Sequence, residues 1–140
     1  MKRKHTLLSL IGAGLLSAMF VFCSTPIRYI TNTQELQDLL KAQHLNAVIK
    51  FSSEECPFCE YLDPLFAKAA HAYNGPVILV SVMIPSDKPT RTWYKTTFGF
   101  ATVPTVVYYR DGQKKYVHGS ENKTITDNDI LNNIARVYSA

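Results

Sequence analysis

The chain has 140 residues, of which 46% are hydrophobic and 19% are charged, and its formal net charge is +4. These values exclude collagen-like, low-complexity, disulfide-scaffold and polytopic membrane proteins, and the length predicts a single domain with a short extension. Three of the fifteen basic residues lie among the first four positions, so the remainder of the chain has a net charge of only +1. The charge therefore gives no support for a nucleic-acid partner.

The N-terminal segment has the pattern of a bacterial secretory signal peptide. Its basic start is followed by an uncharged, mostly apolar run from Thr6 to Cys23. The sequence therefore predicts a signal peptide at residues 1–24 and a domain at residues 25–140, located in the periplasm or otherwise exported. Two alternatives keep the protein at a membrane, namely retention of the apolar run as an N-terminal anchor and lipidation of Cys23. The phenylalanines one and three residues before Cys23 fit a lipidation motif poorly.

Apolar periodicity and turn signals predict eight elements in the remaining chain, after a short lead-in at residues 29–33. In chain order they are a helix at 33–41, a strand at 46–52, a helix from the cysteine motif to about 73, a strand at 77–84, a helix at 90–97, strands at 105–110 and 113–118 joined by Asp111-Gly112, and a helix from about 126 to the C-terminus. This order predicts an α/β domain with a central mixed β-sheet flanked by helices on both faces.

The segment Cys56-Pro57-Phe58-Cys59 lies where a predicted strand gives way to a predicted helix. Cys56 would then lie at the helix N-terminus, where free N–H groups and the helix dipole stabilise a thiolate. A thiolate is the nucleophile of thiol–disulfide exchange, and the two-residue spacing lets Cys59 attack a mixed disulfide formed at Cys56. Pro57 suits the first helical turn, where its missing N–H costs no hydrogen bond.

A cysteine pair with this spacing could instead form half of a zinc site, which requires a second pair of Cys or His ligands. The chain has no second pair of this kind, and His44, His71 and His118 are widely separated. We therefore expect no metal ion, and a surface or boundary position for the three histidines.

Several features in the same order along the chain resemble the thioredoxin superfamily. They are the Cys56–Cys59 motif, Pro64 in the helix that follows it, the segment from Phe98 to Thr105, the turn Asp111-Gly112, and Gly119. The resemblance extends from Asn46 to the C-terminus and implies a thioredoxin-like fold with a cis peptide bond between Val103 and Pro104, facing the cysteines. The Cys-Pro-Phe-Cys motif also fits a glutathione-using, glutaredoxin-like protein and does not decide between the two.

By this resemblance the protein is a thiol–disulfide oxidoreductase with Cys56 and Cys59 as its catalytic residues. The expected substrate-binding residues are Pro57, Phe58, Val103, Pro104 and Thr105. No cofactor is expected, because the electrons reside in the cysteine pair. The expected partners are protein thiols or disulfides and a membrane or envelope protein that recycles the dithiol, and the expected state is a monomer.

The chain departs from the thioredoxin pattern beside the cysteines. Lys50 stands where thioredoxins have a buried aspartate, and Glu55 stands where they have a tryptophan. We hypothesise that Lys50 tunes the site by stabilising the Cys59 thiolate, or that it pairs with an acid such as Glu60; the alternative is an amine extended into solvent. A cation near the dithiol favours the reduced form, whereas Glu54, Glu55 and Glu60 act in the opposite sense.

The direction of electron flow is the least constrained part of this prediction. The chain has neither the long helical insertion of disulfide-forming oxidases nor a dimerisation domain of the isomerase type, which favours a reductase-like role. The alternatives are an oxidase or redox sensor with the same site, and a redox-silent binding or assembly module that uses the groove beside Pro104.

Overall fold

The computed structural model describes residues 25–119 and 124–139, so the predicted signal peptide and Cys23 lie outside the described residues. The described part contains five strands and four helices. They are β1 (Ile27–Ile30), α1 (Thr33–Leu40), β2 (Ala47–Ser53), α2 (Pro57–Ala72), β3 (Ile78–Ile84), α3 (Lys88–Phe98), β4 (Thr105–Arg110), β5 (Gln113–Gly119) and α4 (Asp127–Tyr138). The eight predicted elements are all present, close to their predicted bounds.

The strands form one mixed sheet in the order β1-β3-β2-β4-β5. Strands β1, β3 and β2 run parallel, whereas β4 is antiparallel to β2 and β5 is antiparallel to β4. The register pairs Phe51 near the end of β2 with Thr105 at the start of β4. This pairing brings the loop before β4 beside the turn that follows β2, at the carboxyl end of the central strand β2.

Strand β1 is the one element of the described part that the sequence does not predict. Its four residues pair in parallel with Leu79–Val82 at the edge of the sheet. Only Ile30 is buried, so the strand lacks the apolar alternation that identifies a strand from sequence. Just before β1, the Thr25 hydroxyl donates a hydrogen bond of 3.1 Å to the carbonyl oxygen of Tyr73, at the C-terminal end of α2.

Helices cover both faces of the sheet. On one face α1 and α3 pack on a cluster that contains Phe51 and Phe98. On the other face α2 and α4 pack on a cluster that contains Phe66 and Tyr108. The predicted α/β class, with a mixed sheet between two helical layers, is therefore confirmed.

Helix α3 begins two residues before its predicted start because Asp87 caps it. The Asp87 side chain accepts a hydrogen bond of 2.9 Å from the backbone N–H of Thr90, and Pro89 fits the first turn. The helix is capped by Gly99, whose φ of 71° lies in the left-handed region and turns the chain into the loop before β4. Neither α3 nor any other helix in residues 25–119 and 124–139 is long and apolar enough to cross a membrane.

Candidate active site

The turn between β2 and α2 places the cysteine motif at the carboxyl end of the central strand β2. Strand β2 ends at Ser53, Glu54 and Glu55 form the turn, and Cys56 is the N-cap of α2. Glu55 has a φ of 54°, in the left-handed region that few residues other than glycine and asparagine adopt. The predicted position of Cys56 at the start of a helix is therefore confirmed.

Cys56 and Cys59 are joined by a disulfide bond, with their Cα atoms 5.2 Å apart. Cys56 is 9% exposed and Cys59 is 2% exposed, so Cys56 is the one that a partner sulfur can reach. The backbone N–H of Cys59 donates a hydrogen bond of 3.2 Å to Sγ of Cys56. This N–H belongs to the first turn of α2, where it can stabilise negative charge on Sγ after reduction.

The loop before β4 lies against the disulfide. The peptide bond between Val103 and Pro104 is cis, and the carbonyl oxygen of Val103 lies 3.8 Å from Sγ of Cys56. Val103 is partly exposed, whereas Pro104 is buried. The partly exposed backbone of Val103 therefore lies beside the reactive sulfur, and the buried Pro104 follows it.

Thr105 does not contribute its side chain to an exposed surface, contrary to the prediction that it binds substrate. The side chain is fully buried, and its hydroxyl donates a hydrogen bond of 2.6 Å to the carbonyl oxygen of Thr102. Its backbone lies opposite Phe51 on one side and Gly119 on the other. Both edges of β4 are already paired at this residue, and the hydroxyl of Thr105 holds the loop before the strand.

Two aromatic side chains are exposed on α2 beside the disulfide. Phe58 is 69% exposed, as its position between the cysteines suggests, and Tyr61 is 53% exposed. The two are three residues apart and so share one face of the helix. Pro57 is exposed as well. Tyr61 is not among the residues predicted to contact substrate, although its spacing of three residues from Phe58 could have identified it.

Lys50 is buried on the α2 side of the sheet, where its ammonium group pairs with Asp63 and lies 5.5 Å from the centre of the Phe66 ring. An amine extended into solvent is therefore the wrong alternative. Its partner is also not Glu60, which is exposed in the first turn of α2. Asp63 lies one turn after Cys59, a spacing that places two side chains on the same side of a helix. That spacing is the sequence signal that could have identified it.

A cavity of about 340 Å³ opens beside this ion pair. Its polar lining includes Lys50, Asp63, Ser81 and Thr31, and two exposed side chains, Tyr29 and Met83, also line it. Ser81 is the register partner of Lys50 in the neighbouring strand β3. The cavity gives the buried amine a solvent-connected space on the side of the sheet that carries α2.

Comparison with known proteins assigns the chain to a family. The family model for thioredoxin matches residues 28–135. The chain belongs to the thioredoxin family. A thioredoxin-like protein from Fusarium culmorum is 24% identical to it over 93 residues, which cover 66% of this chain and 74% of that protein. The resemblance stated from the cysteine motif and the features around it is therefore confirmed.

Solved structures share the fold at low sequence identity. A mutant thioredoxin from Halobacterium salinarum has a TM-score of 0.63 and 16% identity, covering 81% of this chain and 91% of that one. Thioredoxin f from spinach chloroplast has a TM-score of 0.61 and 15% identity, covering 81% and 94%. A redox protein from Chlamydomonas reinhardtii has a TM-score of 0.67 and 18% identity, covering 84% of this chain but 37% of that one. The predicted thioredoxin-like fold is confirmed.

This thioredoxin-family protein thus carries a redox disulfide with glutamates on both sides. Glu55 precedes Cys56, Glu60 follows Cys59, and both side chains are exposed. Within the described residues, no group of three or more His, Cys, Asp or Glu side chains is arranged to hold a metal ion.

Proposed function

We propose that this protein is a thiol–disulfide oxidoreductase of the bacterial cell envelope that exchanges its Cys56–Cys59 pair with protein substrates, in the reductase direction. One observation carries the proposal. The disulfide lies at the N-terminus of α2, and its more accessible sulfur faces the carbonyl oxygen of Val103 at 3.8 Å. The reactive sulfur thereby lies beside both the backbone N–H of Cys59 and the carbonyl oxygen of Val103.

The reaction begins from the reduced protein. The Cys56 thiolate attacks one sulfur of a substrate disulfide; a mixed disulfide forms, the substrate S–S bond breaks, and one substrate thiolate leaves. Cys59 then loses its proton and attacks Sγ of Cys56, so that the Cys56–Cys59 bond forms and the second substrate thiolate leaves. The two departing thiolates take up protons according to their own acidity. Two electrons have passed to the substrate, and the protein has returned to its disulfide form.

Three groups position this exchange. The backbone N–H of Cys59 stabilises the negative charge that develops on Sγ of Cys56. The backbone of Val103 pairs with an extended substrate segment that passes beside the sulfur. Phe58, exposed between the cysteines, contacts the substrate through its ring.

The charges around the pair set its reduction potential. The Lys50 ammonium group stabilises the thiolate of the reduced form, and Asp63 offsets part of that positive charge. Glu55 and Glu60 are exposed at the two ends of the motif and disfavour the thiolate. These charges therefore shift the reduction potential of the pair in opposite directions.

The location of the reaction is proposed from residues 1–24, whose basic start and apolar run are typical of an export signal. Outside the cytosol the dithiol must be regenerated by a membrane or envelope partner, because the soluble cytosolic reductants do not act there. The domain works as a monomer and needs no cofactor beyond its cysteine pair. Retention of the leader, or lipidation of Cys23, would place the same domain at the membrane surface.

A trapping experiment tests the proposed chemistry. The Cys59→Ser variant cannot resolve a mixed disulfide, so it should accumulate substrate proteins that dithiothreitol releases, whereas the Cys56→Ser variant should accumulate none. The wild-type domain should reduce insulin. If the Cys59→Ser variant traps nothing and the wild type does not reduce insulin, the redox-silent binding module is the correct alternative.

The reduction potential of the domain tests the direction of transfer. A value near about −270 mV is that of thioredoxin and supports a reductase, whereas a value near about −120 mV is that of a strong oxidant and contradicts it. Cell fractionation tests the location. Recovery of the full-length protein in the cytoplasm, with residues 1–24 still attached, would contradict export.

A further inference from the structure

The carboxylates of this protein are distributed unevenly with respect to their partners. The chain has eleven acidic residues, and ten of them lie in the described part. Seven of the ten form an ion pair or accept a hydrogen bond through the side chain; they are Glu35, Asp38, Asp63, Asp87, Asp111, Asp127 and Asp129. The remaining three have neither, and all three lie within two residues of a redox cysteine.

These three residues are Glu54 and Glu55, in the turn before Cys56, and Glu60, directly after Cys59. All three side chains are exposed. The one buried cation of the described part, Lys50 on strand β2, is already paired with Asp63. The negative charge at the rim of the disulfide is therefore uncompensated within the described part of the free protein.

From this distribution we infer that the face around the disulfide selects protein segments with lysine or arginine next to the reacting cysteine. The inference rests on the proposed function and names its substrate class. A basic side chain beside the substrate cysteine would complete the ion pairs that Glu54, Glu55 and Glu60 lack. The same three charges would repel an acidic segment, so they favour basic substrates and also disfavour acidic ones.

Exposed apolar surface beside the acidic rim fits the same occupant. Phe58 and Tyr61 are two of the five large hydrophobic side chains that are exposed in the described part, and both lie in the first turns of α2, which begins directly after Cys56. The carbonyl oxygen of Val103 lies 3.8 Å from Sγ of Cys56. A substrate segment of alternating basic and apolar side chains therefore meets carboxylates, aromatic rings and a backbone hydrogen-bonding edge around one reactive atom.

Matched peptide disulfides test the inference. We would measure second-order rate constants for reduction of two short peptides joined to a fluorescent reporter through a disulfide, one with lysines and one with glutamates flanking the cysteine. At low ionic strength we expect the lysine peptide to react about 10-fold faster, with the difference falling to about 2-fold in 0.5 M salt because exposed charges are screened. The triple variant Glu54→Gln, Glu55→Gln, Glu60→Gln should react with both peptides at similar rates.

A matched control removes the same charge elsewhere. The variant Glu35→Gln, Asp38→Asn, Asp111→Asn loses three carboxylates on α1 and in the turn between β4 and β5, outside the turn and helix that carry the cysteines, and should keep the preference. Equal rates for the two peptides with the wild type at low salt, or an undiminished preference in the glutamate variant, would overturn the inference. Bis(2-hydroxyethyl) disulfide, a small uncharged substrate, separates failure of the charge selection from failure of the proposed function. If it reacts and the two peptides react at equal rates, only the charge selection fails. If neither it nor the peptides react, the proposed function fails as well.

Discussion

Lys50 and Asp63 form an ion pair whose two members differ in burial, because the Lys50 side chain is 4% exposed and the Asp63 side chain is 51% exposed. Lys50 belongs to the central strand β2 and Asp63 to helix α2, one turn beyond Cys59. The pair therefore holds a buried positive charge against the helix that carries the resolving cysteine, with its counter-charge reaching water. The two residues are expected to act on the redox pair in opposite directions.

Substitutions of the two partners should shift the reduction potential with opposite signs. Lys50→Met removes a cation that favours the reduced form and should lower the potential by about 30 mV, whereas Asp63→Asn leaves that cation uncompensated and should raise it by a similar amount. Equilibration with defined dithiothreitol redox buffers measures both. Lys68→Met, which removes an exposed lysine on α2, is the control and should change the reduction potential little. An unchanged potential in Lys50→Met would remove Lys50 from the mechanism.

The same two substitutions should differ in their effect on stability. Asp63→Asn leaves a buried ammonium group without its partner and should lower the free energy of unfolding by about 2 kcal/mol, since the half-exposed acid contributes less than a fully buried one. Lys50→Met replaces the buried charge with an apolar chain of similar length and should stay within about 1 kcal/mol of the wild type. Urea unfolding of the oxidised domain compares them. A larger loss in Lys50→Met than in Asp63→Asn would contradict this account.

Phe58 should contribute to reactions with protein substrates and not to exchange with small disulfides. Phe58→Ala removes an exposed ring beside Cys56 and should lower kcat/KM for insulin about 10-fold, which corresponds to partial burial of one aromatic side chain. The rate with a small uncharged disulfide should remain within about 2-fold of the wild type. Tyr29→Ala is the matched control, because Tyr29 is equally exposed but lies on edge strand β1. Equal losses in the two variants would show that exposed aromatic area in general is responsible.

The start of α4 should make stability depend on pH. Thr126 and Asp129 form a capping box, and hydrogen bonds from the Thr126 hydroxyl and backbone N–H hold the pKa of Asp129 below its usual value of 3.8. A lowered pKa in the folded state means that this contribution is present above about pH 4 and is lost as the pH falls through the folded-state value. Asp129→Ala should therefore cost about 1 kcal/mol at pH 7 and less at pH 2.

The partner residue provides the control for this prediction. Thr126→Ala removes a hydroxyl that caps the backbone N–H of Asp129 at 3.1 Å, and this bond does not itself titrate. Part of its deficit should therefore persist at pH 2. Urea unfolding at the two pH values measures both variants, and a deficit in Asp129→Ala that is the same at pH 7 and pH 2 would contradict the assignment.

The strands and helices that could be predicted from sequence are those whose pattern is local. A few adjacent residues are enough to predict the strand at Ile78–Ile84 and the turn at Asp111-Gly112. Strand β1 could not be predicted in this way, because only Ile30 of its four residues is buried and the hydrogen-bonding partner is β3, about fifty residues further along the chain. An edge strand of this kind is specified by its neighbour rather than by its own residues.

The candidate site divides in the same manner. Cys56 and its helix start are recognisable because the spacing, the proline and the helix cap are adjacent in sequence. The partner of Lys50 is not, since several acids lie near the cysteines and only the packing of α2 on β2 selects Asp63. The burial of Thr105 likewise depends on strand pairing along both of its edges, which no local pattern reveals.

The hydrogen bond from Thr25 to Tyr73 determines which way the domain is presented. It fixes the first described residue at the C-terminal end of α2, and that helix has 16 residues. At about 1.5 Å per residue, Cys56 therefore stands roughly 24 Å away at the other end of the helix. A chain tethered through its N-terminal side would hold the disulfide at the far pole from the point of attachment, open to partners that approach from the surrounding solution.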